Sequence, residues 1–261
     1  MRNLLTQFRP FTVAFLLSCG GTVGWTATVQ AATPETAPPE LKVMLNGIEQ
    51  AANQENLDQI LGFYSPSYRN SDDISRDRLA EALQQFWNEY DNVTYRTELR
   101  SWEQQGDRII TETSTYVTGT QVRENQQVTL EAMLRSRQVL QNNQIVDQEI
   151  LAEESKLFWG DNPPEVRVNL PERVRPGQKY YFDAIVTEPL GNNLLLGTAL
   201  EQDINGDRFF EANELEFDLL QAGGLFKQGT APDSEKDIWL SAIVVRNDGV
   251  TTVTRRLRVE R

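Results

Sequence analysis

Five oxygen-bearing residues between positions 203 and 214 are spaced as the ligands of a calcium loop are spaced. Asp203, Asn205, Asp207, Glu211 and Glu214 fall at loop positions one, three, five, nine and twelve. Such a loop winds around a hard cation and offers it an oxygen at every second step. Arg208 stands at the sixth position, where glycine makes the sharp turn at positive φ, and it brings a positive charge beside the ion. Residues 194–200 read as a strand, so no helix enters the loop. The segment reads first as a polar turn between strands and second as a calcium site, calcium being the one cofactor the sequence suggests.

Proton chemistry has fewer resources. The 261 residues include no histidine and one cysteine, Cys19. That excludes Ser–His and Cys–His nucleophiles, thiolate metal sites and an intramolecular disulfide. What remains is a carboxylate working with a tyrosine, for which Glu98, Glu112, Tyr64 and Tyr116 are the candidates. No catalytic residue can be assigned among them, and the chain reads as a non-enzyme.

The formal net charge is −13, from 25 basic and 38 acidic residues. Arg2 and Arg9 are the only charges in the first 32 residues, so the remainder carries 23 basic against 38 acidic residues, or −15. A chain this acidic, without a basic cluster, repels phosphate backbones, and nucleic acid is not an expected partner. The start is basic, then apolar at 11–17, then rich in small residues: the order of an export signal in residues 1–31, with cleavage expected after Ala31. The competing reading is a lipoprotein signal. Leu16-Leu17-Ser18-Cys19-Gly20 resembles a lipobox, and only a lipidated Cys19 would tie the chain to a membrane. Either way a bacterial extracytoplasmic location, periplasmic or secreted, is expected. Residues 32–39 read as an extended, mobile Pro-rich linker.

Elements that could position chemistry follow in two blocks, expected at 40–160 and 161–261. Leu41, Met44, Leu45, Ile48 and Ala52 recur at helical spacing; Leu57, Ile60, Leu61 and Tyr64 mark a short second helix. Ser75 caps a third at 76–90, with Leu79, Leu83, Phe86, Trp87 and Tyr90 on one face. From Val93 the period becomes 2. Turns at Gln105-Gly106-Asp107, Asn125-Gln126 and Asn142-Asn143 separate long β-branched runs, an antiparallel meander. The expected fold class is α+β, helices packed on a curved sheet in a cone, then a separate all-β sandwich.

The helix at 40–53, Phe63-Tyr64-Ser65-Pro66, the 79–87 helix and Tyr95-Arg96-Thr97-Glu98 together resemble the nuclear transport factor 2-like superfamily, which includes SnoaL-like and ketosteroid-isomerase-like proteins. The resemblance spans residues 41–159. It implies a sheet curled around a pocket, and the pocket would be lined by Tyr64, Tyr68, Phe86, Trp87, Tyr95, Glu98 and Trp102. The competing reading makes these aromatics core. The charged rows Arg96, Glu98 and Arg100, Glu131, Arg135 and Arg137, and Asp147 and Glu149 are expected on sheet faces, where opposite charges on neighbouring strands stabilise the sheet modestly; the competing reading, from the sheet-face dimers of this superfamily, makes them a homodimer surface.

After Gly160-Asp161-Asn162-Pro163-Pro164 nearly everything has a strand pattern: 165–170, 179–187, 194–200, 215–220, 238–246 and 251–259. Val174-Arg175-Pro176-Gly177-Gln178-Lys179-Tyr180-Tyr181-Phe182 resembles the early strands of bacterial immunoglobulin-like domains. Three functional classes follow. The first is an exported non-enzymatic protein that binds a small apolar ligand in the cone or assembles through it. The second is an isomerase- or dehydratase-like enzyme using a pocket carboxylate and tyrosine. The third is a calcium-stabilised surface module.

Overall fold

A computed structural model describes residues 31–189, 194–204, 216–220 and 223–261. The export signal, Cys19, Asn205, Asp207, Glu211 and Glu214 therefore lie outside the described residues.

Helix α1 (Pro39–Asn53) begins with proline at its first position, where a missing N–H costs nothing, and Glu40 lies in its first turn. Leu41, Met44, Leu45, Ala51 and Ala52 are its buried stripe. A Cβ on Gly47 would come within 2.8 Å of the Phe63 ring, so this helix needs glycine for close approach. Helix α2 (Leu57–Gly62) is capped by Asn56, whose side chain accepts from the Gln59 amide at 3.1 Å. The segment after it is strand β1 (Tyr64–Asn70), paired parallel with β5. Helix α3 (Arg76–Glu89) starts at the expected Ser75 cap and buries Leu79, Leu83 and Phe86.

Four long strands follow: β2 (Asp91–Gln105), β3 (Arg108–Arg123), β4 (Gln126–Gln141) and β5 (Gln144–Gly160). Glu124-Asn125 and Asn142-Asn143 join them as two-residue turns in which both residues have positive φ, 47° to 63°. That backbone matches the twist of paired strands and fixes their register. The order, helices then meander, is the one implied by the resemblance to the nuclear transport factor 2-like superfamily.

The remaining strands are β6 (Val166–Asn169), β7 (Arg173–Val174), β8 (Lys179–Val186), β9 (Leu196–Asp203), β10 (Asp218–Leu219), β11 (Gly224–Thr230), β12 (Ile238–Arg246) and β13 (Gly249–Val259). Strand β11 carries two glycines, Lys227 and Gln228 and has no sequence signature; its full-length pairing with β8 makes it a strand.

The expected fold class is wrong. The described residues are 58% strand and 18% helix, with three α-helices and one large, mainly antiparallel sheet. Its order is β10-β9-β12-β13-β5-β4-β3-β2, with β1 on β5 and β7 on β13; β6, β8 and β11 form a three-stranded sheet. The reason is the length of β5. It continues past the meander, and Glu154 to Gly160 pair with Arg255 to Gly249, so the strands after residue 160 extend an existing sheet instead of starting an isolated one.

By contact density the described chain divides into a helix-bearing unit, residues 31–119 and 133–151, and a strand unit, residues 120–132 and 152–261. In the strand unit, the three-stranded sheet and strands β12 and β13 enclose a core that includes Tyr180, Phe182, Leu240, Ala242, Val253 and Leu257. Its entry is pinned by Arg246, 3% exposed, which holds the Asn162 carbonyl, Asp248 and Glu188. Gly160 sits at φ 98°, and a Cβ on Gly249 would lie 2.5 Å from Pro163, so only glycine lets these backbones meet.

Candidate functional site

The residues expected to line one pocket separate into different partnerships. Tyr64 and Tyr68 make an edge-to-face pair with centroids 4.9 Å apart, and both are buried. Phe86 packs on Tyr90 at 5.0 Å. Trp87 donates its indole N–H to the Tyr95 hydroxyl at 3.0 Å. Trp102 donates instead to the Thr33 carbonyl at 3.2 Å and to Thr36 Oγ1 at 3.1 Å. The Glu98 carboxylate pairs with Arg96, approaches Arg100 at 3.7 Å and accepts from Tyr116 Oη at 3.5 Å. Arg96 lies over the Tyr116 ring, 4.2 Å from its centroid. Glu112 is held by Arg137 at 2.8 Å, and the same guanidinium reaches Glu149 at 3.0 Å. The carboxylates considered for catalysis are thus bound to arginines.

A different set converges in the helix-bearing unit. Tyr68 Oη donates to Gln148 Oε1 at 3.0 Å, and both residues are about 2% exposed or less. Strand pairing delivers them: Asn70 is in register with Gln148 across β1 and β5, and Tyr68 lies two residues before Asn70 on the same face. Asn70 is 1% exposed and closes the turn to α3, its Oδ1 accepting from the Ile74 amide at 2.8 Å. Its Nδ2 has no hydrogen-bond partner among the described residues. On β3 and β4, Thr111 donates to Gln138 at 3.4 Å and Thr113 meets Ser136 at 3.3 Å, all four buried.

Tyr68 is among the residues expected to line a pocket; its polar neighbours Asn70, Thr111, Thr113, Ser136, Gln138 and Gln148 are not, because short polar residues in strands look like solvent-facing positions. The available signal was that both faces are polar there: Thr111 and Thr113 alternate with Glu112, and Ser136 with Arg135 and Arg137. Two polar faces in a well-packed sheet mean that one of them is inside.

Burial pushes the Tyr68 hydroxyl well above its ordinary value, with Tyr64 and Asp147 adding to the rise and Asn70 opposing it. Burial raises Tyr64 and Tyr95 as well. These hydroxyls stay protonated donors at any physiological pH. Asp147 on β5 is raised by burial and then by Glu149. Hydroxyls and amides of this kind hold a neutral polar group; they do not take up a proton.

The strand unit has its own buried charges. Arg256, 1% exposed, donates to Glu153 at 3.2 Å and to Asp237 at 3.0 Å. Trp239 Nε1 also donates to Glu153 Oε2, at 3.0 Å, and Asp237 accepts from the Val259 amide at 2.9 Å. Glu153 Oε1 accepts no hydrogen bond among the described residues. Burial raises the Glu153 carboxyl, opposed mainly by Arg256. Of the calcium candidates, Asp203 is described, and Lys236 holds it at 2.9 Å. No cluster of three or more acidic or sulfur ligands that could hold a metal occurs among the described residues. No described helix is long and apolar enough to cross a membrane.

Residues 161–260 match a family described as Domain of unknown function (DUF8623). No curated protein matches the chain. Among solved structures, a loop-truncation variant of IdmH aligns at 11% identity over 42% of this chain and 89% of its own, with a TM-score of 0.29. An LEH-like epoxide hydrolase of M. tuberculosis aligns at 13% identity over 45% and 84%, TM-score 0.31. A hypothetical protein of Catenulispora acidiphila with a ketosteroid isomerase-like fold, solved with trimethylamine, aligns at 10% identity over 46% and 85%, TM-score 0.30.

Proposed function

We propose that the chain is a non-catalytic, extracytoplasmic binding protein whose helix-bearing unit holds a small, largely apolar and uncharged ligand through an acceptor oxygen. The observation that carries this reading is the buried set of Tyr68, Gln148 and Asn70, in which the Asn70 Nδ2 donor is unmet. A buried donor without a partner costs about 1–3 kcal/mol, and an acceptor atom on a ligand or an ordered water removes that cost. The hydroxyl and amide groups favour a neutral ligand, and Glu98 and Glu112, the carboxylates considered for an isomerase or dehydratase, are held by arginines.

The test is native mass spectrometry of the chain purified gently from its cell envelope, alongside the same sample denatured. A small mass lost on denaturation is expected, and it should be absent from Tyr68→Phe/Gln148→Leu. A bare protein mass, together with no uptake of an uncharged carbonyl-containing probe such as progesterone, would overturn the reading.

A further inference from the structure

We infer that residues 32–37 are a latch that closes the open edge of β2 and keeps that edge from pairing with an extended strand, in the first instance the same edge of a second copy. Strand β2 is the last strand in its sheet, so one row of its backbone groups has no strand partner. Such rows are templates for edge-to-edge association, and proteins cover or interrupt them.

Two devices cover this one. Near the start of β2, side chains of α1 imitate a neighbouring strand. Asn53 Oδ1 accepts from the Tyr95 amide and Asn53 Nδ2 donates to the Tyr95 carbonyl, both at 2.8 Å, and Glu49 accepts from the Thr97 amide at 2.6 Å. Farther along, the segment expected to be a mobile linker makes a β-bridge. The Ala32 amide donates to the Trp102 carbonyl at 2.8 Å, and the Trp102 amide returns a bond to the Ala32 carbonyl at 3.2 Å. The Trp102 indole holds the next turn through Thr33 and Thr36, and Lys42 fixes the Glu35 carbonyl at 2.9 Å. Trp102 thus has a positioning role at the edge. The first guard is part of a packed helix; the second is a peptide segment that can leave as a unit.

A second consequence rests on the export reading. Cleavage after Ala31 would turn the bridging Ala32 amide into an ammonium, and a charged donor strengthens the bond to the Trp102 carbonyl. A peptidase needs an extended, accessible substrate, so the latch closes after the cut.

The experiment compares three forms of the exported chain: the wild type, a form beginning at Pro38, and that shortened form with Trp102→Pro. Light scattering across a concentration series is read with amide exchange at β2. The shortened form should exchange the Trp102 amide on the order of tenfold faster, as loss of one hydrogen bond implies. It should also associate at concentrations where the wild type does not. Trp102→Pro, which removes the pairing N–H, should reverse the association. Unchanged association and exchange in the shortened form would overturn the latch, and so would association that survives Trp102→Pro. N-terminal sequencing of the wild type separates the two claims: a first residue other than Ala32 removes the maturation step and leaves the edge guard standing.

Discussion

Replacing Arg256 by methionine should be among the most damaging single changes available in the strand unit. The guanidinium is 1% exposed and lies between Glu153, 4% exposed, and Asp237, 22% exposed. Removing it strands a buried carboxylate whose other oxygen already lacks a partner. Breaking a buried ion pair from one side costs about 3–5 kcal/mol. Glu153→Leu alone should cost less, because Asp237 still neutralises Arg256. In the double variant the two fully buried charges are removed together; Asp237, 22% exposed, is left without Arg256, and Trp239 loses its bond to Glu153, which together account for about 1–3 kcal/mol. The double variant should therefore be more stable than Arg256→Met alone, and its loss should fall short of the summed single losses by more than about 2 kcal/mol. Urea unfolding followed by tryptophan fluorescence measures all four corners of the cycle. Additive losses would refute the reasoning, since they would mean the two side chains do not share one buried charge balance.

Three further outcomes are expected. Burial raises the Glu153 carboxyl above its ordinary value of about 4.3. The native state then holds a proton that the unfolded chain has lost, so this group's contribution falls as pH rises from its unfolded value through its raised native value. Melting curves of wild type and Glu153→Gln against pH should diverge across that window, and parallel curves would show that the group does not titrate there. Gly249→Ala places a Cβ 2.5 Å from the Pro163 backbone and should lower the melting temperature by several degrees, on the order of 1–3 kcal/mol; an unchanged value would mean the junction yields freely. Because Lys236 already neutralises Asp203, millimolar calcium should leave the melting temperature unchanged. A rise abolished by Asp203→Ala would support the calcium reading.

The sequence by itself determined the local elements. Leu41, Met44 and Leu45 at helical spacing, the Ser75 cap, and turn residues such as Asn142-Asn143 act over a few neighbours, so their physics is present in any short window. It determined the missing chemistry as well, because a chain without histidine lacks it in every conformation. Tertiary structure decided the rest. Strand β11 exists because β8 offers it an edge, and the sheet continues past residue 160 because β13 pairs with β5. Trp102 looked like pocket lining and is the pin of a docked segment, since its indole partners lie 66 and 69 residues away. Tyr68 and Gln148 are 80 residues apart in the chain, and no local pattern announces that a tyrosine hydroxyl and an amide will share one buried hydrogen bond. Burial and long-range pairing assign side chains to partners, and neither can be read from a window shorter than the sheet itself.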